Sequence, residues 1–521
     1  MPQHTSTVYY GGINGATGRP AIPPLTVQQL SAAIRQLSDP VNLRELRLRH
    51  QRDEQIGLGL REGVSACHLD VVGWGIVFAE DADPAVEEAL SELIAHRRGQ
   101  AGDRCRVFKG ASGVRRGQIK TEWLVAQGVG PVVVNPDKVP YYLLLVGSPE
   151  AIPFQFQSLL SVDYAVGRIH FNTLQEYANY ARSVVLAEKR RRAYLPRRIA
   201  FYGAVNGVDS DAEDLRRALV APLSDTTRAL VSAPLTGPCA DAAGVVAGWQ
   251  VETYMAQDAG RRSLLSLLGD GGRAPALLFA GGHGYEPANP LCLPFEQGAL
   301  ITSDWDGRRA PVPRDSVVGG EDVAGDMNLL GMIAFFFACY SGGTPPEADE
   351  FVRLLAGVPV QPPYPFVAHL PSRMLSAPGG GALAVVAQVA PTFSYSYDWP
   401  GVGEVRAPFE DCLAQLLRGY PIGHAVQPFY KTFASYETEL AALLRTARLG
   451  GRVDDSALFT PWLAGYTAGN HIILGDPAVR INPTTLKPDA KLPKFKPTRI
   501  DGLPLSDSWP AALPVPCQGD A

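Results

Sequence analysis

Short apolar runs alternate with amphipathic segments along most of the chain. Residues 141–147 form a continuous apolar run that ends in glycine, and similar runs occupy 276–280 and 332–338. Apolar runs of this length are typical of strands covered on both faces, as in a parallel sheet. Apolar residues at helical spacing over 174–189 predict a helix of the kind that covers such a sheet. The alternation predicts an α/β fold with a mostly parallel sheet flanked by helices.

Further elements follow from the same pattern in both halves of the chain. The predicted strands are 69–78 (with its loop), 105–108, 199–204 and 382–387, and the predicted helices are 83–97 and 210–223. Two series of strand–helix units predict two side-by-side α/β subdomains, although no sequence repeat relates them.

Changes in composition predict four segments. Residues 1–55 are interpreted as an N-terminal extension packed on the body, with a helical pattern over 26–49. Residues 56–196 form a first α/β subdomain, and residues 197–481 form a second one. Residues 482–521 are rich in proline and lysine and are interpreted as an extended tail.

Composition and charge narrow the function classes. The chain has 521 residues, is 46% hydrophobic and 19% charged, and carries a formal net charge of -5. This charge gives no electrostatic reason to expect nucleic acid or an acidic membrane as a partner. No apolar stretch reaches the ~18 residues that a membrane span needs, and the N-terminus has no secretory pattern. We therefore expect a cytoplasmic protein.

The number and spacing of the cysteines do not indicate a metal site. There are seven, widely spaced, with no Cys-x-x-Cys pair. We expect neither a disulfide framework nor structural zinc, and expect most thiols to be buried apolar groups. Asp304 and Asp306 supply too few oxygen ligands for Ca²⁺. No metal or cofactor is predicted.

Two predicted strands end in loops that carry a reactive pair. His283 follows one strand within Gly281-Gly282-His283-Gly284, and Cys339 follows the next within Ala338-Cys339-Tyr340-Ser341-Gly342. Sites in open α/β sheets form at the carboxyl ends of strands, so His283 and Cys339 are predicted to face each other if these strands are neighbours.

A thiol and an imidazole in this arrangement can act together. A thiol with its ordinary pKa is only partly ionised at neutral pH, so a nearby imidazole helps to generate the nucleophile and then protonates a leaving amine. The flanking glycines allow close approach of a substrate backbone. The backbone N–H groups of Gly284 and Cys339 are predicted to stabilise an oxyanion.

Other interpretations stay open. A cysteine after an apolar strand is usually a buried structural residue, and a histidine between glycines is often an ordinary loop residue. A catalytically silent scaffold of the same fold, acting by protein binding, is the main alternative. An enzyme that binds a small ligand in the same crevice has less support, because no phosphate-binding glycine loop or Gly-x-Ser-x-Gly motif is present.

The pattern resembles the caspase-like (clan CD) cysteine peptidases, and most closely their gingipain-type branch (peptidase family C25). Three further stretches carry the resemblance: 144–153 (LLVGSPEAIP), 164–169 (YAVGRI) and 473–481 (ILGDPAVRI). It implies a caspase/gingipain-like fold of two α/β subdomains, with the dyad in the second and the first non-catalytic. It also implies an endopeptidase that forms a thioacyl intermediate on protein or peptide substrates.

The resemblance also suggests a specificity pocket and a role. In this family the loop after the first strand of the catalytic subdomain often supplies the charge of the primary pocket, which makes Asp209 and Asp211 candidates for binding arginine or lysine. The alternative is that Ser210 or Asp211 caps the following helix. Trp399 is the candidate for the pocket wall. Without a secretory pattern, an intracellular bacterial regulatory or defence protease is expected, with an activating partner that stays unidentified.

Overall fold

The computed structural model describes residues 7–36, 60, 63–130, 134–189, 195–207, 210–235, 248–272, 274–307, 311–345, 364–393, 397–399 and 403–481. In chain order the strands are β1 (Thr7–Val8), β2 (Gly12–Asn14), β3 (Arg19–Pro20), β4 (Leu25–Thr26), β5 (Trp74–Phe78), β6 (Cys105–Phe108), β7 (Tyr142–Val146), β8 (Ala165–Ile169), β9 (Arg198–Gly203), β10 (Gln250–Met255), β11 (Leu277–Gly281), β12 (Gly284–Glu286), β13 (Leu300–Ile301), β14 (Val317–Val318), β15 (Ile333–Phe337), β16 (Gly343–Thr344), β17 (Phe366–Val367), β18 (Ala384–Gln388), β19 (Asp398–Trp399), β20 (Gly403–Glu404) and β21 (His471–Gly475).

Helices fill most of the connections between these strands. The α-helices are Val27–Gln36, Leu69–Val72, Pro84–Ala89, Ser91–Ala101, Lys120–Ala126, Phe154–Ser161, Leu174–Lys189, Ser210–Leu215, Ala221–Val231, Arg261–Leu267, Leu293–Glu296, His369–Ser376, Ala407–Leu417, Ile422–Ala425, Gln427–Arg448 and Asp455–Gly469.

A ten-stranded sheet organises the described chain, in the order β10-β9-β11-β15-β18-β21-β8-β7-β5-β6. The first five strands are parallel to one another, and so are the last five. The two blocks join where β21 pairs antiparallel with β18. Every residue of β7, β11 and β15 is buried, as expected for strands covered on both faces. The predicted α/β fold with a mostly parallel, helix-flanked sheet is confirmed.

Several element predictions need correction. Residues 69–78 begin with a helix, Leu69–Val72, because Gly73 at a φ of 76° ends that helix before β5 starts. The predicted helix 83–97 is two helices that break at Leu90. The predicted helix 210–223 runs on to Val231 through a π-helical turn at Arg216–Val220.

The N-terminal extension is part of a second sheet. The order of this five-stranded sheet is β14-β13-β12-β2-β3, so β2 of the extension lies beside β12, the strand that follows His283. Of the helical pattern over 26–49, the described part is Val27–Gln36. Residues 482–521, the predicted tail, lie outside the described chain, and the division at residue 196 stays a prediction.

The cysteines differ from expectation. Cys67 and Cys292 are disulfide-bonded, whereas Cys105, Cys339 and Cys412 are free thiols. The prediction of mostly free thiols is therefore wrong for Cys67 and Cys292. Disulfides persist mainly in oxidising compartments, so these bonds do not favour the expected cytoplasmic location.

The described residues form neither a candidate membrane span nor a candidate metal site. No helix there combines the length and the apolar character that crossing a bilayer requires. No group of three or more His, Cys, Asp or Glu side chains within the described ranges is placed to hold a metal ion.

A buried ionic cluster connects the end of β21 to β5 and to two helices, Ser91–Ala101 and Leu174–Lys189. Asp476 directly follows β21 and is fully buried, and it accepts hydrogen bonds from Arg97 Nε at 2.7 Å and Trp74 Nε1 at 3.0 Å. Arg97 also pairs with Glu188 through two bonds of 2.7 Å. Removing Asp476 would leave Arg97 with Glu188 as its one acidic partner in this cluster and would leave Trp74 Nε1 without its buried acceptor.

We expect Asp476→Ala to lower the free energy of unfolding by about 3–5 kcal/mol, because Arg97 and Trp74 both lose a buried partner. Urea unfolding measures this loss. Asp137→Ala is the control, since Asp137 pairs with Arg104 while 72% exposed, and its loss should cost less than about 1 kcal/mol. Equal losses in the two variants would contradict a structural role for the cluster.

Candidate functional site

The strand register places the predicted dyad at adjacent strand ends. Parallel strands β11 and β15 pair from Leu277–Ile333 to Gly281–Phe337. The N–H of Gly282 then donates to the Phe337 carbonyl at 3.2 Å, which extends the pairing. His283 and Cys339 each follow the last pair by two residues. Both therefore leave the same carboxyl edge of the sheet on neighbouring strands, where sites form in folds of this class.

The loop that carries Cys339 is sharply turned and firmly held. Tyr340 adopts a φ of 55°, a left-handed conformation that costs a non-glycine residue about 1–3 kcal/mol. Ser341 Oγ donates to the Ala338 carbonyl at 2.8 Å, and Gly342 N–H donates to the Gln388 carbonyl at 2.7 Å. The strained turn is thus fixed against the end of β18.

A backbone carbonyl of the N-terminal extension orients His283. The ring Nδ1 lies 2.7 Å from the Gly11 carbonyl oxygen. A carbonyl only accepts hydrogen bonds, so Nδ1 carries the hydrogen and Nε2 is the basic nitrogen of the neutral ring. His283 is 3% exposed, so this bond is protected from water.

The sulfur of Cys339 is enclosed. Cys339 is 0% exposed. The Thr392 N–H donates a hydrogen bond to Sγ at 3.1 Å, and Thr392 Oγ1 lies 3.0 Å from Sγ. Burial is the main cause that raises the pKa of the Cys339 thiol to about 12, and the nearby Glu286 carboxylate adds to it. The two contacts with Thr392 act in the opposite direction.

Glu286 is a second titratable group beside the sulfur. It lies in β12, and Tyr10 Oη donates a hydrogen bond to its carboxylate. The residue keeps some exposure, but its carboxylate is enclosed by Tyr10 and Gly12. Burial raises the pKa of Glu286 to about 7, and the bond from Tyr10 only partly offsets this.

A small cavity opens beside the histidine. Its volume is about 20 Å³, which suits about one water molecule. Asp211, itself buried, is the acidic group in its lining. The full lining comprises Tyr9, Gly11, Asp211, Ala212, Leu215, Gly282, His283, Phe337, Thr392, Phe393 and Tyr397.

The structure brings some predicted site residues together and leaves others undescribed. Asp211 and His283 share the cavity. The backbone of Gly284 touches that of Cys339 so closely that a Cβ at residue 284 would overlap the Cys339 carbonyl oxygen. Asp209 lies outside the described residues. Trp399 belongs to β19, and nothing is described of its side chain.

Three contributors to the site were missed by the sequence analysis. Gly11, Glu286 and Thr392 surround the dyad, and each comes from a segment with no chemical motif of its own. Gly11 is 272 residues away from His283 in sequence, so local pattern gives no sign of their contact. The one available signal is the pair Gly11-Gly12, since adjacent glycines often mark close backbone approach.

Comparisons with known proteins give distant structural matches. The chain is similar to the Arg-specific cysteine proteinase gingipain R, at 11% identity and a TM-score of 0.40 over 78% of each chain. It is also similar to a structure described as a protease, at 12% identity and a TM-score of 0.38 over 78% of each chain. A complex of Porphyromonas gingivalis RgpB pro- and mature domains matches at 11% identity and a TM-score of 0.36, covering 78% of this chain and 80% of the other.

Sequence comparison adds no relative. No protein-family model matches the chain, and no curated protein matches it significantly. Structural matches at these identities carry nothing about chemistry, so the roles of individual residues rest on the geometry of the site.

The raised pKa of Glu286 makes stability depend on pH. Its folded pKa of about 7 lies above its ordinary value of 4.5, so the folded chain favours the protonated carboxyl. This contribution is complete below pH 4.5 and is lost as pH rises through 7. Glu286→Gln does not titrate. Between roughly pH 5 and pH 8, we expect the free energy of unfolding of wild type to fall by about 2 kcal/mol relative to that of this variant. Urea unfolding at the two pH values measures the change.

The control for this experiment is Glu92→Gln, on the exposed face of helix Ser91–Ala101. This variant makes the same Glu-to-Gln exchange at an exposed position, and its free energy of unfolding is measured beside that of wild type at both pH values. A difference between wild type and Glu286→Gln that does not change with pH would show that the carboxyl of Glu286 is not held protonated by the fold.

Proposed function

We propose that the chain is a cysteine endopeptidase in which Cys339 is the nucleophile and His283 its acid–base partner. One observation carries the proposal. Both residues leave adjacent parallel strands at the same sheet edge, and the Gly11 carbonyl holds the His283 ring in the tautomer whose Nε2 is basic. A histidine and a cysteine in this relation have the chemistry of a catalytic dyad.

The proposed reaction has two stages. His283 takes the thiol proton, and the sulfur of Cys339 attacks the peptide carbonyl carbon. The resulting oxyanion would be stabilised by the backbone N–H groups of Gly284 and Cys339, a role supported by the close packing of these two backbones. His283 then protonates the leaving amine, and water hydrolyses the thioester to release the acid and restore the thiol.

The lining of the cavity beside His283 supports a preference for basic side chains once the closed site opens, since its present volume of about 20 Å³ holds only about one water molecule. Asp211 supplies a buried negative group, and Phe337, Phe393 and Tyr397 supply aromatic walls. A carboxylate in an enclosed site pairs well with a guanidinium or an ammonium group. Cleavage after arginine or lysine is therefore part of the proposal, with Asp211 as the recognising residue. Asp209 and Trp399 stay predictions.

A second candidate function is a catalytically silent scaffold that acts by binding proteins. The complete burial of Cys339 favours it, because a substrate carbonyl cannot reach a sulfur with no exposed surface. Under the peptidase proposal, the same burial means that the residues over the sulfur must move before a substrate enters. An activating partner or cleavage would supply that movement.

The cellular setting follows from the peptidase proposal. A bacterial regulatory or defence protease acting on protein substrates fits a latent site. An intracellular location was expected from the sequence, but disulfide-bonded Cys67 and Cys292 are more typical of an oxidising compartment.

We expect a fluorogenic peptide library varied at the P1 position to be cleaved by wild type, with turnover lowered at least roughly a thousandfold in Cys339→Ala and His283→Ala. Cys412→Ala is the matched control, since Cys412 is also a buried free thiol but lies in helix Ala407–Leu417. No turnover by wild type, even with Ca²⁺ or after limited proteolysis, would favour the scaffold.

The pocket has its own test. We expect Asp211→Asn to lower kcat/KM for substrates with arginine or lysine at P1 by roughly 10- to 100-fold, because a charged hydrogen bond is lost, while uncharged P1 residues change little. Asp214→Asn, on the same helix but paired with Arg217 at the surface, is the control. An unchanged P1 preference in Asp211→Asn would remove Asp211 from the pocket.

A further inference from the structure

Thr392 lies at the centre of the contacts around Cys339. It follows β18 by four residues and is buried. Its N–H donates to the Cys339 sulfur at 3.1 Å, and its hydroxyl oxygen lies 3.0 Å from the same sulfur. The Thr392 carbonyl oxygen also lies 3.8 Å from the sulfur and can accept a hydrogen bond from the neutral thiol. Three polar groups of one residue therefore contact the proposed nucleophile directly.

The N–H and the hydroxyl of Thr392 interact differently with the neutral thiol and with the thiolate of Cys339. A neutral thiol can donate its hydrogen to the Thr392 hydroxyl, whereas a thiolate can only accept. After ionisation the backbone N–H and the hydroxyl of Thr392 both donate to the sulfur. Hydrogen bonds to a charged group are stronger than those to a neutral one, so the pair of contacts stabilises the thiolate more than the thiol.

Thr392 also connects the sulfur to the histidine. Its carbonyl accepts a hydrogen bond from the Gly11 N–H at 3.0 Å, and the Gly11 carbonyl holds His283 Nδ1 at 2.7 Å. A chain of hydrogen bonds thus runs from His283 through Gly11 and Thr392 to Cys339. Space here is tight, because a Cβ on Gly11 would lie 2.8 Å from the Thr392 hydroxyl and 3.5 Å from the sulfur.

We infer that Thr392 is a positioning residue for the proposed reaction: its N–H and hydroxyl hold the Cys339 sulfur in place and favour its ionised form. The inference rests on the proposed peptidase function. Glu286 and Tyr10 are the titratable groups that interact electrostatically with Cys339, and Tyr340 interacts with Tyr10. Glu286 opposes ionisation of the sulfur, whereas the two contacts with Thr392 favour it.

Thr392→Val tests the hydroxyl while keeping the shape of the side chain. Titration of ultraviolet thiolate absorbance, taken as the difference from Cys339→Ala, follows the sulfur without a substrate. We expect ionisation in Thr392→Val to move about one pH unit higher than in wild type, and the acid limb of the kcat/KM profile to move with it. Thr392→Ser, which keeps the hydroxyl, should titrate like wild type.

Thr227→Val is the matched control, since Thr227 is buried in helix Ala221–Val231, away from the site, and its titration should not change. If Thr392→Val does not fold, the pair Thr392→Ser and Thr392→Ala makes the same comparison. If the Cys339 thiol of Thr392→Val ionises at the same pH as that of wild type, the inference is overturned. In the substitute pair, the same result for Thr392→Ala would overturn it.

The two proposals fail in distinguishable ways. A shifted thiolate titration together with no peptide turnover by wild type would support the role of Thr392 at the sulfur and reject the peptidase. Peptide turnover together with an unshifted titration would support the peptidase and reject the role of Thr392.

Discussion

Strand β21 pairs antiparallel with β18 on one side and parallel with β8 on the other, and the architecture depends on this junction. It joins two parallel blocks that run in opposite directions, so the carboxyl ends of β11 and β15 meet the amino ends of the other block at one edge. Asp476 directly follows β21 and ties this strand to its own block, because its buried carboxylate pairs with Arg97 and accepts a hydrogen bond from Trp74 of β5. Backbone pairing of β21 with β18 then joins this block to the one that carries His283 and Cys339.

Burial controls the chemistry that the site can perform. An isolated thiolate is disfavoured at Cys339, because the sulfur is enclosed and Glu286 lies close by. Ionisation there needs a positive partner and hydrogen-bond donors, which His283 and Thr392 can supply. Displacing the residues over the sulfur would readmit water and remove part of the desolvation cost. Under the proposed function, access of a substrate to the sulfur and ionisation of the thiol are therefore linked, because the same enclosure opposes both.

Sequence alone was sufficient where the signal was local. The apolar runs predicted β7, β11 and β15 nearly to the residue, and the loops after β11 and β15 led to His283 and Cys339 at neighbouring strand ends. It missed β10, an edge strand without a fully buried residue and therefore without an apolar run. Gly11 and Thr392 could not be found either, because their roles come from contacts between distant segments. The same holds for disulfide-bonded Cys67 and Cys292, whose spacing follows no motif.

The glycines near the dyad have a reason beyond access for a substrate. A Cβ on Gly284 would overlap the Cys339 carbonyl, and one on Gly12 would overlap the Glu286 carboxylate. The backbones of β12 and of the loop after β15 therefore approach at a distance that only glycine permits, and Gly12 of β2 lies equally close to the Glu286 side chain. This close packing sets the separation between the Gly11 carbonyl and the His283 ring. The N-terminal extension is for that reason a structural part of the site, and the orientation of His283 depends on its remaining in place.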